Sequence, residues 1–174
     1  MPRLIERVVL VGFMGAGKST VGPLVARSLA WDFLDMDGRI EERLGLSVAE
    51  CFRTRGEAAF RQEELAVARG LGDRLVVAAG GGAFAQTETR QVLQHNALTV
   101  WLRAPLEVLL SRLPKDGARP LASNRAIMQA LLAEREPAYR EADLTIDTSD
   151  ADVSAVVDRV VQAIRARSRG AWSR

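Results

Sequence analysis

A glycine-rich octapeptide near the start of the chain constrains the fold more than any other feature. Residues 12–19 read Gly-Phe-Met-Gly-Ala-Gly-Lys-Ser, which fits the pattern G-x-x-x-x-G-K-[ST] at every fixed position. The apolar run Val8-Val9-Leu10-Val11 before it is typical of a buried strand, and apolar residues at helical spacing follow it over 20–29. A strand, loop and helix in this order turn backbone N–H groups and a helix N-terminus towards one anion. The octapeptide therefore predicts a P-loop that binds nucleotide phosphates.

The residue types within this loop predict how it contacts ATP and a metal ion. Lys18 can reach the β- and γ-phosphates, and the Ser19 hydroxyl can ligate Mg²⁺. Mg²⁺ is therefore the predicted cofactor, and ATP the predicted co-substrate. We expect the phosphates to be bound by a nearly continuous set of residues, namely Gly12, Gly15, Ala16, Gly17, Lys18, Ser19 and Thr20.

The apolar runs along the rest of the chain predict an α/β fold. Five of them read as strands, at about 6–11, 32–35, 74–79, 97–102 and 143–147, and helical patterns alternate with them. The third and fourth runs are apolar at odd and even positions alike, as expected for strands covered on both faces. Strands that alternate with helices form right-handed βαβ units. We therefore expect three layers, with a five-stranded parallel sheet flanked by helices, and a mobile lid.

Several residues predict where helices begin and end. Ser47 and Glu50 form a capping-box pattern, and Gly56 separates that helix from the next, over 57–69. Pro105 predicts the first turn of a helix that runs to about residue 113. The final helix is expected from about 153 to 166, with an apolar face made of Val153, Val156, Val157, Val160, Val161 and Ile164.

Length and composition predict one domain over residues 1–174. Within it we expect substrate-binding helices at about 36–70 and a C-terminal tail at about 166–174. The segment 114–120 contains two prolines and a glycine and has few apolar residues, so a lid is expected at about 112–124.

Charge and hydropathy narrow the range of partners. The formal net charge is only +2, and no apolar stretch approaches the roughly 20 residues of a membrane helix. We expect small-molecule ligands, no nucleic acid and no membrane, and we take a monomer as the default. The single cysteine, Cys51, cannot form an internal disulfide, which favours a reducing cytoplasm.

Two segments outside the P-loop predict an acceptor site. Asp35 and Asp37 end the second predicted strand, where one carboxylate can support Mg²⁺ through water and the other can take a proton from an acceptor hydroxyl. Asp37 could equally be the N-cap of the following helix. Gly80-Gly81-Gly82 directly follows the third strand and suits a close backbone approach to a ligand.

Three arginines near predicted loops add positive charge to this picture. Arg61, Arg119 and Arg135 could each grip a carboxylate or phosphate through paired hydrogen bonds. Each of these arginines could instead be an ordinary charged surface residue. Arginine is abundant throughout the chain, since only Lys18 and Lys115 among the 24 basic residues are lysines.

The order of these motifs resembles that of shikimate kinase over about residues 5–165. The motifs are G-F-M-G-A-G-K-S-T at the P-loop, L-D-M-D near residue 35, G-E-A-A-F-R at 56–61, G-G-G at 80–82, R-P-L at 119–121 and E-R-E-P-A-Y-R at 134–140. The resemblance implies transfer of a phosphoryl group from ATP to the 3-hydroxyl of shikimate, giving shikimate 3-phosphate and ADP. This is a step of chorismate and aromatic amino acid biosynthesis.

The same resemblance implies roles for individual residues. Asp37 would hold the shikimate hydroxyls and act as the base, and Asp35 would support Mg²⁺ through water. The substrate carboxylate would lie between Arg61 and Arg135. The ring of the substrate would lie against Gly80, Gly81 and Gly82. On the nucleotide side, Arg119 would close onto the phosphates and Arg112 would stack on adenine, while Lys18, Asp37 and Arg119 would form the catalytic group.

Some residues depart from the family pattern, at Trp31-Asp32, Cys51-Phe52 and Phe84, and none of these removes a charged or glycine position. Isolated His95 is expected at a solvated helix end.

Another small-molecule P-loop kinase, acting on gluconate or a nucleoside monophosphate, is the nearest alternative function. A sensor that kept the fold without catalysis is an alternative of another class. An ATP-driven nucleic-acid motor is disfavoured, because no basic surface with interleaved aromatic residues is visible.

Overall fold

A computed structural model describes residues 5–114 and 124–170, with side chains described as far as residue 167. The strands in this part of the chain are β1 (Arg7–Val11), β2 (Asp32–Asp35), β3 (Leu75–Ala78), β4 (Ala97–Arg103) and β5 (Leu144–Asp147). The helices are α1 (Lys18–Leu29), α2 (Met36–Leu44), α3 (Val48–Arg69), α4 (Thr87–Gln94), α5 (Leu106–Ser111), α6 (Arg125–Tyr139) and α7 (Val153–Gly170). A short 3₁₀ helix, Ala83–Ala85, precedes α4.

The strands form one parallel sheet in the order β2-β3-β1-β4-β5, which confirms the predicted fold class. β1 lies at the centre, and its residue Val9 is in register with Val77 of β3 and Thr99 of β4. Every residue of β1 and β3 is buried, because helices cover both faces of the sheet. β3 lies on one side of β1, and β4 lies on the opposite side. The carboxyl ends of the strands therefore open onto one crevice, where ligands of such sheets bind.

The start of α2 corrects one alternative from the sequence. Asp35, not Asp37, is the N-cap: its Oδ1 accepts hydrogen bonds from the backbone N–H of Asp37 at 3.0 Å and of Gly38 at 3.3 Å. Asp35 has extended backbone geometry at the end of β2, which an N-cap requires, whereas Asp37 is already in the first helical turn. The Asp37 carboxylate is consequently not used as a cap.

The predicted boundaries of α3 are confirmed. Ser47 and Glu50 make both hydrogen bonds of a capping box at its start. Gly56 interrupts the helix with φ of 84° and ψ of 170°, and the second segment then runs to Arg69. This kink divides α3 into two helical segments.

The helices at the C-terminal side differ from the expectation in detail. Pro105 is the N-cap of α5, which ends at Ser111. α7 continues to Gly170, beyond the expected end near residue 166. Val153 was expected on the apolar face of α7 but is 38% exposed, because it is the first residue of the helix. Val160 and its neighbours on that face are buried.

Two predicted segments fall largely or partly outside the described residues. Most of the lid expected at 112–124 lies at 115–123, and the end of the expected tail lies at 171–174. His95 is exposed at the end of α4, as predicted, and Cys51 is buried. Among the described helices, none is both long and apolar enough to span a bilayer.

Candidate active site

The P-loop joins β1 to α1 in the conformation that its glycines allow. Gly12, Gly15 and Gly17 have φ values of 147°, 81° and 100°. At Gly12 a Cβ atom would lie 2.7 Å from the carbonyl oxygen of Leu102, so the neighbouring strand also excludes a side chain there. Ala16 is buried within the loop.

The start of α1 is arranged to receive an anion. Its N-cap is Gly17, no side chain caps it, and its first turn contains no acidic residue. The backbone N–H groups at this helix N-terminus and the helix dipole favour negative charge there. Lys18 and the exposed residues Ser19 and Thr20 form this first turn, so the predicted phosphate-binding residues are contiguous in space.

Lys18 lies across the loop that precedes it. Its Nζ donates to the carbonyl oxygens of Gly12 at 2.7 Å and Phe13 at 3.1 Å. The ammonium group therefore lies at the mouth of the loop and not out in solvent. A phosphate entering the loop would meet a cation already in place.

Ser19 and Asp35 connect the P-loop to the end of β2. The Ser19 hydroxyl donates to Asp35 Oδ2 at 2.9 Å, while Asp35 Oδ1 is used by the α2 cap. One carboxylate thus fixes a helix and points its second oxygen at the P-loop serine. The pair supplies two hard oxygen donors, the type that Mg²⁺ prefers. Among the described residues, no cluster of three or more His, Cys, Asp or Glu side chains is placed to hold a metal ion.

Asp37 and a second carboxylate, Glu64, converge on Gly80. A Cβ atom at Gly80 would lie 2.5 Å from Asp37 Oδ1 and 3.1 Å from Glu64 Oε1. Glu64 is only 1% exposed. Burial raises the pKa of Glu64, and the negative charge of Asp37 raises it further, while Arg61 and Arg135 act in the opposite direction. The two carboxylates therefore share one electrostatic environment.

Arg61 is held over the other end of the glycine triplet. Its Nη1 donates to Glu64 at 2.6 Å and its Nη2 to Glu57 at 3.1 Å. Burial opposes its charge, but these two carboxylates outweigh burial and raise the pKa of Arg61. The guanidinium also lies 5.6 Å from the centre of the Phe60 ring. A Cβ atom at Gly82 would be 2.6 Å from both terminal nitrogens, so only glycine leaves room for this cation.

Arg135 reaches the same triplet from α6. Its guanidinium lies 5.6 Å from the centre of the Phe13 ring, and its Nη1 would be 3.1 Å from a Cβ atom at Gly81. Residues from α2, α3 and α6 therefore surround Gly80-Gly81-Gly82. The triplet is as important for admitting the charged side chains of the site as for admitting a ligand.

Of the remaining predicted residues, Arg112 is the one that the structure describes. Arg112 donates to the Thr148 hydroxyl at 3.2 Å and also to the Thr148 carbonyl, so it lies against the loop that follows β5. Arg119 falls outside the described residues. The structure thus brings the P-loop, the two aspartates and two of the four predicted arginines, Arg61 and Arg135, to one edge of the sheet.

Two residues of the cluster carried no prediction. Glu64 follows Arg61 at the i+3 spacing of a helical ion pair, which was the available signal. Tyr139 is fully buried and its hydroxyl donates to the Gly81 carbonyl. It lies within the motif at 134–140, one helical turn after Arg135, and only that spacing could have indicated it.

Comparison with known proteins identifies a consistent set of relatives. A sequence model described as shikimate kinase matches residues 14–165. The chain is 46% identical to the shikimate kinase of Geobacter sulfurreducens over 165 residues, which cover 92% of this chain and 91% of the relative. It is 44% identical to the shikimate kinase of Moorella thermoacetica over 163 residues, covering 91% and 94%.

Solved structures give the same result. The shikimate kinase from Acinetobacter baumannii in complex with shikimate superposes with a TM-score of 0.87 at 36% identity, covering 94% of this chain and 95% of that one. A gluconokinase from Sinorhizobium meliloti reaches 0.61 at 18% identity, covering 98% and 97%, which shows a shared fold alone.

Proposed function

The chain belongs to the shikimate kinase family, and from that premise we propose how its own residues carry out the reaction. The reaction is transfer of the γ-phosphoryl group of ATP to the 3-hydroxyl of shikimate, a step of chorismate and aromatic amino acid biosynthesis. The observation that carries the residue assignment is the convergence of Arg61, Arg135 and Asp37 on one glycine triplet beside a P-loop.

The acceptor site is built for a small polyhydroxylated carboxylate. Arg61 and Arg135 bind the carboxylate, because two guanidinium groups can each donate charged hydrogen bonds worth about 1.5–3 kcal/mol. Asp37 accepts hydrogen bonds from the ring hydroxyls. Gly80, Gly81 and Gly82 lie against the ring, where their lack of side chains leaves space. The substrate-binding set is therefore Asp37, Arg61, Gly80, Gly81, Gly82 and Arg135.

The nucleotide site is the P-loop and the first turn of α1. Gly12, Gly15, Ala16, Gly17, Lys18, Ser19 and Thr20 bind the phosphates. Lys18 exchanges its bonds to backbone carbonyls for bonds to phosphate oxygens. Arg112 stacks on adenine, an assignment supported by its place against the loop after β5. Arg119 closes onto the phosphates from the lid.

Mg²⁺ is the proposed cofactor. Ser19 would ligate it directly and Asp35 through water, and their mutual hydrogen bond of 2.9 Å supports this pairing. When bound, the ion neutralises negative charge on the phosphate oxygens.

The chemistry requires positioning, charge and one proton acceptor. The 3-hydroxyl oxygen forms a bond to the γ-phosphorus as the bond from that phosphorus to the bridging oxygen of ADP breaks. Asp37 takes the hydroxyl proton, and ADP leaves with the electron pair of the broken bond. Lys18 and Arg119 stabilise charge on the transferred group and on the leaving oxygen.

The organisation of the chain follows from these roles. Residues 1–174 form one kinase domain in which about 36–70 bind the substrate, about 112–124 close as a lid and about 166–174 form a tail. We propose that the protein acts as a monomer in the cytoplasm, where its single cysteine stays reduced.

The test is release of ADP from Mg²⁺–ATP in the presence of shikimate, with gluconate, AMP and no acceptor run beside it. Lys18→Ala serves as the blank. We expect release that depends on shikimate and disappears in the blank. Release with gluconate or AMP in place of shikimate would refute the acceptor assignment. Binding of ATP or shikimate without any release would instead support the sensor alternative.

A further inference from the structure

The three carbonyl groups of the glycine triplet are held by different partners. Gly80 O accepts from Ala83 N at 3.0 Å, and Gly82 O accepts from Ala85 N at 3.2 Å. These two bonds belong to the turn itself and to the 3₁₀ helix after it. Gly81 O is held by the hydroxyl of Tyr139, the only side chain among the described residues that donates to the triplet's carbonyls.

The N–H groups of the triplet are arranged differently. Within residues 5–114 and 124–170, none of the three donates to a backbone carbonyl. Because the peptide unit is planar, fixing the direction of the Gly81 carbonyl also fixes the direction of the Gly82 N–H. Glycine peptides reorient easily, so this direction depends on what holds the carbonyl.

Tyr139 is itself rigidly placed. It is the last residue of α6, it is fully buried, and its ring centre lies 5.9 Å from that of Trp101 on β4. Burial raises the pKa of Tyr139 to about 12, so the phenol keeps its proton and remains a donor at neutral pH. The hydroxyl is thus a fixed donor supported by the core of the sheet.

Tyr139 and Arg135 act on the same glycine from the same helix. They are separated by one turn of α6 and share a face of it. Arg135 passes close to the Gly81 Cα while Tyr139 binds the Gly81 carbonyl. The last turn of α6 therefore fixes both a cation for the substrate and the backbone beside it.

We propose that Tyr139 is a positioning residue for the acceptor site. Its hydroxyl fixes the peptide between Gly81 and Gly82, and with it the direction of the Gly82 N–H, while the same helix holds Arg135 beside Gly81. This rests on the proposed function, in which the triplet and Arg135 bind shikimate. No atom of Tyr139 is required to touch the substrate.

The first test compares Tyr139→Phe with Thr99→Val. The Phe variant loses the hydroxyl and keeps the ring. Thr99 offers a matched control, because it is also fully buried. Among the described residues its hydroxyl donates to Asp143 Oδ2 at 2.7 Å and accepts from Asp143 N at 2.9 Å, with no bond to the triplet. We expect Tyr139→Phe to lower kcat/KM for shikimate about tenfold with KM for ATP within about twofold of wild type. Thr99→Val should lower Tm without changing either constant.

A second measurement uses the fact that the chain contains one tyrosine. Incorporation of 3-fluorotyrosine labels Tyr139 alone and retains the hydroxyl. The label therefore tests whether Tyr139 responds to shikimate even if the Phe variant fails to fold. We expect the ¹⁹F resonance to shift saturably with shikimate in wild type, because a ligand bound by the triplet and Arg135 changes the electric field at the Tyr139 ring. Mg²⁺–ADP added without shikimate should leave the ¹⁹F resonance unshifted.

The outcomes separate this inference from the proposed function. A folded Tyr139→Phe enzyme with wild-type constants for shikimate would overturn the role of Tyr139, as would an equal loss in Thr99→Val. A ¹⁹F resonance unmoved by saturating shikimate would overturn it as well. A wild-type enzyme that does not phosphorylate shikimate at all would instead refute the proposed function.

Discussion

Replacement of Gly80 by alanine tests the geometry of the acceptor site most directly. Gly80 does not have a positive φ, so alanine can adopt its backbone conformation without strain. The added methyl group would nevertheless lie 2.5 Å from Asp37 Oδ1 and 3.1 Å from Glu64 Oε1. The substitution therefore acts through contact with the two carboxylates.

The size of the effect follows from the distance. The shortest ordinary contact of a Cβ atom is 3.4 Å, which exceeds the 2.5 Å found here by about 0.9 Å. Asp37 must move by roughly that amount, because the glycine backbone is anchored by its own turn. A displacement of about 1 Å at a reacting group costs on the order of 10²-fold in rate. We expect kcat to fall about 10²-fold, and overpacking to lower the free energy of unfolding by about 1–3 kcal/mol.

The assay is steady-state ADP release with shikimate varied at saturating Mg²⁺–ATP, alongside urea unfolding. Gly72→Ala is the matched control, because Gly72 is exposed, has no positive φ and has no atom within 4 Å of an added Cβ. The control should retain wild-type kcat. A Gly80→Ala enzyme with kcat within about threefold of wild type would refute the position assigned to Asp37.

Three further substitutions test the charged groups. Asp37→Asn should nearly abolish transfer and leave ATP affinity unchanged in calorimetry; lost nucleotide affinity would contradict its role as base. Arg119→Ala should lower kcat on the order of 10³-fold, and a turnover number within tenfold of wild type would exclude it from catalysis. The pKa of Glu64 is raised above 4.5 in the folded protein, so the folded state binds the Glu64 proton more tightly than the unfolded state does. The free energy of unfolding should therefore fall as pH rises from about 4.5 through the pKa of Glu64 in the folded protein. Urea unfolding of Glu64→Gln should lack this component, and an unchanged pH dependence would show that Glu64 is not its source.

Much of the fold could be predicted because its signals are local. The apolar runs that become β1 and β3 need no partner to be recognised, since strands buried on both faces lack polar residues. The Ser47–Glu50 capping box is likewise contained in a few residues. Errors occurred where burial depended on neighbouring elements, as at Val153, which is exposed because α7 begins there.

The roles of the two aspartates show the limit of local reasoning. A pair of aspartates at the end of a strand predicted both a cap and a site, but not which residue would serve which purpose. In the structure Asp35 supplies the cap with one oxygen and meets Ser19 with the other. Asp37 is then directed at Gly80. This division depends on the place of β2 beside β3, which brings the glycine triplet next to α2.

The sequence alone determined the phosphate-binding loop, the parallel α/β architecture and the identity of the charged residues, because each depends on residue type and short-range spacing. Only the tertiary structure decided that the Arg61–Glu64 pair of α3 lies beside Asp37 and Gly80, and that Tyr139 holds the Gly81 carbonyl. These contacts join helices and a turn that are distant along the chain. Their strength comes from burial, since a charge or hydroxyl removed from water must find its partner within the fold. Burial is a property of the packed molecule, so no local pattern could have specified it.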